Sequence, residues 1–294
     1  MIKLGRQREN RIWCTFWSLA FFHFEWLMPD NSEITRFTAQ LQSSSLPKAP
    51  AAKNLRIKIF ADGANKETML RYYQEPFIAG FTTNPTLMRK VGIASYEEFA
   101  NDILSIIRDR PISFEVFSDD FEEMEKQAHT IASWGKNAYV KIPITNTSCA
   151  PSVSLVERLS AAGIKVNVTA MTIYEQVEQV APVLAKGCGG IVSVFAGRIA
   201  DAGYDPVPIM KRSVEYLRKY PNVELLWASP REVYNLVQAD MIGCHIITVT
   251  EDILKKLPLL GGQLNQVSLD TVRMFYNDAQ AAGYKIRYVE SIEK

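Results

Sequence analysis

From residue 56 onward the chain repeats one pattern: a short β-branched or apolar run, a polar loop, then a segment whose apolar positions recur at helical spacing. The runs at 56–62, 77–83, 112–117, 138–143, 164–169, 190–195, 223–229 and 244–249 predict eight strands. Helices are expected between them at 66–74, 96–109, 121–133, 152–162, 173–186, 208–219, 231–239 and 253–257, with a further one at 269–282. Starts carry capping and first-turn acids, as in Ser118-Asp119-Asp120-Phe121-Glu122-Glu123, and Gly135, Gly163 and Gly187 close several ends. Eight βα units in about 240 residues fit an α/β protein with a closed (β/α)8 TIM barrel; an open doubly wound sheet more usually has five or six strands. The final helix exceeds the barrel count, so it is expected across a rim or on a neighbouring subunit of a homo-oligomer.

The stretch before residue 56 is different. Residues 34–55 contain no acid and no strand or helix period, and they include Ser43-Ser44-Ser45 and Pro47-Lys48-Ala49-Pro50, which read as linker. The expected organisation is therefore an N-terminal extension over 1–55, disordered or arising from a misassigned start, and a catalytic barrel with its C-terminal helix over 56–294. Residues 13–28 lie behind Lys3, Arg6, Arg8 and Arg11 and superficially copy a signal peptide. His23 and Glu25 interrupt that run, no small-residue cleavage site follows, and Glu9, Glu25, Asp30 and Glu33 argue against organelle targeting. No apolar run approaches the roughly 18 to 20 residues of a membrane span.

Composition narrows the chemistry. The 294 residues are 47% hydrophobic and 22% charged, as in a globular protein with a large core. Thirty-three Lys+Arg against 32 Asp+Glu leave a net charge of +1, so no global field favours nucleic acid or an anionic membrane. Any bound anion needs a local site. Cys14, Cys149, Cys188 and Cys244 are far apart, and His23, His129 and His245 form no pair at metal-ligand spacing. A reducing, cytoplasmic compartment and chemistry without a metal are the expectation. Neither a G-x-G-x-x-G after the first strand nor a G-x-x-x-x-G-K-[ST] occurs, so no nucleotide cofactor is indicated.

Parallel barrel strands are covered on both faces, which makes charge inside them costly unless it is paired or functional. Asp62, Glu115 and Lys141 break that rule. Strand alternation points Lys141 into the barrel if Val140 and Ile142 face the helices, and it puts Asn167 and Thr169 inside with Val166 and Val168 outside. One reading is a buried ion network that only fills space. The other is a Schiff-base lysine, whose neutral amine is favoured by desolvation and opposed by the nearby carboxylates, while those carboxylates move protons. A second group, Ser193-Val194-Phe195-Ala196-Gly197-Arg198 with Ala228-Ser229-Pro230-Arg231, places two arginines and a serine at adjacent strand ends. Such a set suits a phosphate, unless either arginine is taken by a surface acid such as Asp201 or Glu232.

These residues, in this order, resemble the transaldolase family, in particular its small-transaldolase and fructose-6-phosphate-aldolase branch. The segments that carry the likeness are Ile59-Phe60-Ala61-Asp62, Gly80-Phe81-Thr82-Thr83-Asn84-Pro85-Thr86, Val140-Lys141-Ile142-Pro143-Ile144-Thr145, Asn167-Val168-Thr169 and the two arginine loops, within residues 57 to about 286. The resemblance implies a class I, metal-independent aldolase barrel acting on sugar phosphates without a cofactor. It implies Lys141 as the Schiff-base lysine, Asp62 as the base for the C4 hydroxyl, and Glu115 with Thr169 as holders of a proton-carrying water. Thr83, Asn84, Asn167, Ser193 and Phe195 would line the three-carbon unit; Arg198, Ser229 and Arg231 would hold the distal phosphate. Free aldolases of this branch carry Gln at the position of Glu115 and Tyr at that of Phe195, so both positions here point to the transferase of the pentose phosphate pathway. Pro230 and Ala196 depart from the family pattern and bear on substrate length. The alternatives are free aldol cleavage and a silent sugar-phosphate-binding paralogue.

Overall fold

The structure is a computed structural model and describes residues 54–288, so the expectation for the 1–55 extension lies almost wholly outside the described residues. Eight strands, β1 (Lys58–Asp62), β2 (Ile78–Thr82), β3 (Ile112–Glu115), β4 (Ala138–Pro143), β5 (Val166–Met171), β6 (Gly190–Val194), β7 (Val223–Trp227) and β8 (Ile246–Thr250), pair in sequence order. All pairs are parallel and β1 also pairs with β8, which closes the barrel. The TIM-barrel expectation holds. Helices α1 (Lys66–Tyr73), α2 (Pro85–Lys90), α3 (Tyr96–Ile106), α4 (Phe121–Ser133), α5 (Val153–Ala161), α6 (Tyr174–Lys186), α7 (Ala196–Asp201), α8 (Val207–Leu217), α9 (Tyr234–Met241) and α10 (Glu251–Leu254) complete the βα units. The described residues up to Gly262 belong to one compact unit, and α11 (Leu264–Ala282), which has no buried residue, belongs to a second. Among the described residues no helix is long and apolar enough to cross a membrane.

Two short helices escape the periodicity reading. Helix α2 has only six residues; it starts because Asn84 Oδ1 accepts the Leu87 N–H at 3.0 Å and Pro85 sits where its missing N–H costs nothing. Helix α7 follows β6 directly. Strand β5 runs past Thr169 because Ala170 takes a left-handed conformation (φ 65°) that bulges the ladder and lets Met171 pair again. Expected strand 223–229 stops earlier, at Trp227, since Ser229 also turns left-handed (φ 59°).

Alternation sorts the side chains into two layers. Val140, Ile142, Val166 and Val168 face outward into the large core shared with the helices. Inside the barrel, Phe60, Ile191, Leu226, Ala228 and Ile246 form a separate apolar plug. Above that plug the inward positions turn polar. Gly80 makes the plug possible: a Cβ there would lie 2.7 Å from the Phe60 ring. Gly80→Ala is therefore expected to cost about 1–3 kcal/mol through overpacking, and Phe60→Leu added to it should recover part of the loss. Denaturant titration of both variants checks this; strictly additive effects would show that the contact is not shared.

Candidate active site

The polar inward positions open into a cavity of about 590 Å³ at the C-terminal end of the barrel. Lys141 lies at its floor, 6% exposed, carried inward by the parity of β4. Its Nζ donates to Glu115 Oε2 at 2.9 Å and to the Thr83 carbonyl at 3.0 Å. Glu115 stands opposite it in the β3–β4 register. The buried Lys141 nitrogen is thus given two oxygen acceptors, which offset part of the cost of taking it out of water.

Asp62 ends β1 and lines the same cavity. Thr82 Oγ1, its register partner on β2, donates to Asp62 Oδ1 at 2.7 Å and also touches the Thr248 hydroxyl. Burial raises the Asp62 carboxyl above its ordinary value, outweighing the attraction of Lys141 and the Thr82 bond that pull it down, and the Glu115 charge adds to the rise. This makes Asp62 a stronger base than a solvated aspartate once ionised. On the other side of the lysine, Ser193 Oγ donates to Asn167 Oδ1 at 2.6 Å and Asn167 Nδ2 donates to Ser113 Oγ at 3.1 Å. That relay fixes the Asn167 amide face. The buried Thr169 hydroxyl, by contrast, has no hydrogen-bond partner among the described residues.

The opposite wall holds Arg198, Ser229 and Arg231. Gly197 lets these loops meet, because a Cβ at that position would lie 1.5 Å from the Ser229 carbonyl oxygen. The two arginines are not equivalent. Arg231 Nε donates to Asp201 Oδ1 at 3.0 Å and its Nη2 meets the other oxygen of the same carboxylate, so the surface-acid alternative for this residue is realised. Arg198 has no acidic partner among the described residues.

The structure brings Asp62, Asn84, Glu115, Lys141, Asn167, Thr169, Ser193, Phe195, Arg198, Ser229 and Arg231 to the lining of one cavity. Thr83 is the exception: its side chain is fully buried, its hydroxyl donates to the Ser113 carbonyl at 3.3 Å, and it meets the site only through its own carbonyl. Asn84 Oδ1 caps α2, which orients its amide group beside the cavity. Sequence reasoning missed Thr82, Thr248 and Asp252 as cavity residues. The first two were findable: both are polar residues at inward positions of strands that should be dry.

Residues 59–289 match the family described as Transaldolase/Fructose-6-phosphate aldolase. A protein named "Probable transaldolase" from Dehalococcoides mccartyi is 33% identical over 202 residues, 68% of this chain and 90% of that relative. Another of that name, from Caldicellulosiruptor saccharolyticus, is 36% identical over 203 residues, 68% of this chain and 89% of the relative. A third, from a Thermoanaerobacter species, is 34% identical over 231 residues, 78% of this chain and the whole of the relative.

The asymmetry of the arginines has a measurable consequence. Arg198→Ala is expected to weaken binding of inorganic phosphate by about tenfold or more, the loss of a charge-assisted bond, whereas Arg231→Ala loses less because Asp201 already competes for that guanidinium. Calorimetric titration of both variants reads the difference, and equal losses would contradict it.

Proposed function

The chain belongs to the transaldolase/fructose-6-phosphate aldolase family, and from that premise we propose that it transfers a dihydroxyacetone unit from sedoheptulose 7-phosphate to glyceraldehyde 3-phosphate through a Schiff base on Lys141. The observation that carries this reading is the buried Lys141 amine at the cavity floor, held only by Glu115 and a backbone carbonyl and facing Asp62.

In this reading the neutral Lys141 amine adds to the ketose carbonyl, forming a C–N bond while the carbonyl oxygen takes a proton. Loss of that hydroxyl as water leaves a protonated imine. Glu115 moves the protons of these two steps, and the unpaired Thr169 hydroxyl holds the water between them. Asp62 then takes the proton of the C4 hydroxyl. The C3–C4 bond breaks, its electron pair flows into the iminium, and the shortened aldose departs. The three-carbon enamine stays on Lys141 until an acceptor aldehyde enters and the steps run in reverse. The Asn167 amide and Ser193 hydroxyl suit its hydroxyl groups, and Arg198, Ser229 and Arg231 suit the phosphate at the far wall.

Retention of the enamine favours transfer over release. Phe195 lines the cavity with a phenyl ring, which offers no proton to the carbanion-like carbon, whereas a tyrosine there could donate one. Turnover of fructose 6-phosphate should therefore depend on added aldose acceptor. Phe195→Tyr should raise release of free dihydroxyacetone and lower transfer, and Glu115→Gln should push the same way. Equal dihydroxyacetone release with and without acceptor in the unaltered protein would refute the transferase; no turnover in either case would refute the enzyme.

A further inference from the structure

Tyr96 opens α3, away from the cavity wall, yet its hydroxyl makes two bonds to a single residue of the site. It accepts the Glu115 backbone N–H at 2.7 Å and donates to the Glu115 carbonyl at 2.9 Å. In a parallel barrel those two groups belong to the neighbouring strand. The β2–β3 ladder shows why they are free. Phe81 N–H donates to the Pro111 carbonyl at 2.8 Å and Thr83 N–H to the Ser113 carbonyl at 3.1 Å. The next donor in step would be residue 85, which should reach the Glu115 carbonyl, but Pro85 has no N–H and begins α2. The acceptor in step for the Glu115 N–H would be the Thr83 carbonyl, and that oxygen takes the Lys141 ammonium instead.

The Tyr96 hydroxyl therefore stands in for a missing strand on both sides of Glu115. By satisfying the Glu115 N–H it leaves the Thr83 carbonyl to the lysine, and by bonding both backbone groups it fixes the residue whose carboxylate is the lysine's other acceptor. Burial pushes the Tyr96 phenol up from its usual range, so the hydroxyl keeps the proton it donates. Its ring is packed edge-on or tilted against Phe114, Phe117 and Trp134, with centroids 6.3, 5.4 and 5.9 Å away. The hydroxyl can thus be removed while the ring keeps its neighbours.

We propose that Tyr96 is a positioning residue for the reacting lysine: its hydroxyl holds Glu115 and reserves the Thr83 carbonyl, so that the Lys141 amine has two fixed acceptors at the cavity floor. The proposal rests on the Schiff-base reading for its catalytic consequence, but its structural content can be tested without any sugar.

Tyr96→Phe should fold and leave KM for fructose 6-phosphate within about threefold, since Tyr96 touches no ligand, while kcat for transfer falls about tenfold or more. Lys141, with the Thr83 carbonyl shared with the Glu115 N–H and the Glu115 carboxylate no longer held in place, should also react about tenfold faster with a small amine-directed reagent, trinitrobenzenesulfonate, followed by peptide mapping. Unchanged kcat with unchanged labelling of Lys141 would overturn the proposal, as would a loss confined to KM. If the unaltered protein shows no turnover, the functional reading fails and the labelling rate alone decides for or against Tyr96. Should Tyr96→Phe not fold, amide exchange in the unaltered chain decides: slow exchange at Glu115 is expected, and exchange at the rate of an open loop would overturn the assignment.

Discussion

A lysine amine drawn out of water into a barrel interior must be given oxygen acceptors, and the arrangement of the open end of this barrel follows from that need. Lys141 has two, the Glu115 carboxylate and the Thr83 carbonyl. The first fixes the parity of β3 against β4, because Glu115 must face inward opposite the lysine. The second requires β2 to leave its ladder at Thr83, which Asn84 and Pro85 achieve by starting a helix. The departure leaves the Glu115 backbone without a partner on the β2 side, and the Tyr96 hydroxyl takes that place. One buried amine thus links three successive βα units.

The cavity has two chemically separate ends. Around Lys141 the groups are buried or half-buried and most are bonded to one another, as in the Ser193–Asn167–Ser113 relay and the Thr82 bond to Asp62. Preorganisation of this kind suits groups that must act on short-lived charge. At the arginine wall the side chains are exposed, and Arg231 has an exchangeable partner in Asp201. Such a pair contributes little to stability, so an incoming phosphate can displace it at small cost. The rigid end suits bond making and breaking; the adaptable end suits recognition.

Much of this was legible in the sequence because the relevant signals are periodic. Eight apolar runs with intervening helical segments specify a barrel, and strand alternation alone places Lys141, Asn167 and Thr169 inside. What escaped reading depends on backbone atoms or on partners distant in the chain. Thr83 reads as a residue lining the three-carbon unit, whereas it reaches the cavity floor through its carbonyl, which residue identity does not encode. Arg231 was read as a phosphate ligand with Asp201 as the competing possibility, and only the packing of α7 beside the Ser229 loop decides that the pair forms. Helix α2 was missed because six residues are too few to show a period, and with it went the broken ladder that makes Tyr96 matter. The amphipathic pattern of α11 says that a face wants cover without saying whose.

In the proposed reaction the Lys141 amine forms the covalent bond to substrate. Borohydride reduction in the presence of fructose 6-phosphate, followed by mass spectrometric peptide mapping, tests it directly, because an imine is reduced irreversibly and an amine is not. One reduced three-carbon or ketose adduct is expected, on Lys141, and it should be absent from a folded Lys141→Ala protein. A label on Lys136 or Lys165, or none on a protein that turns over, would contradict it.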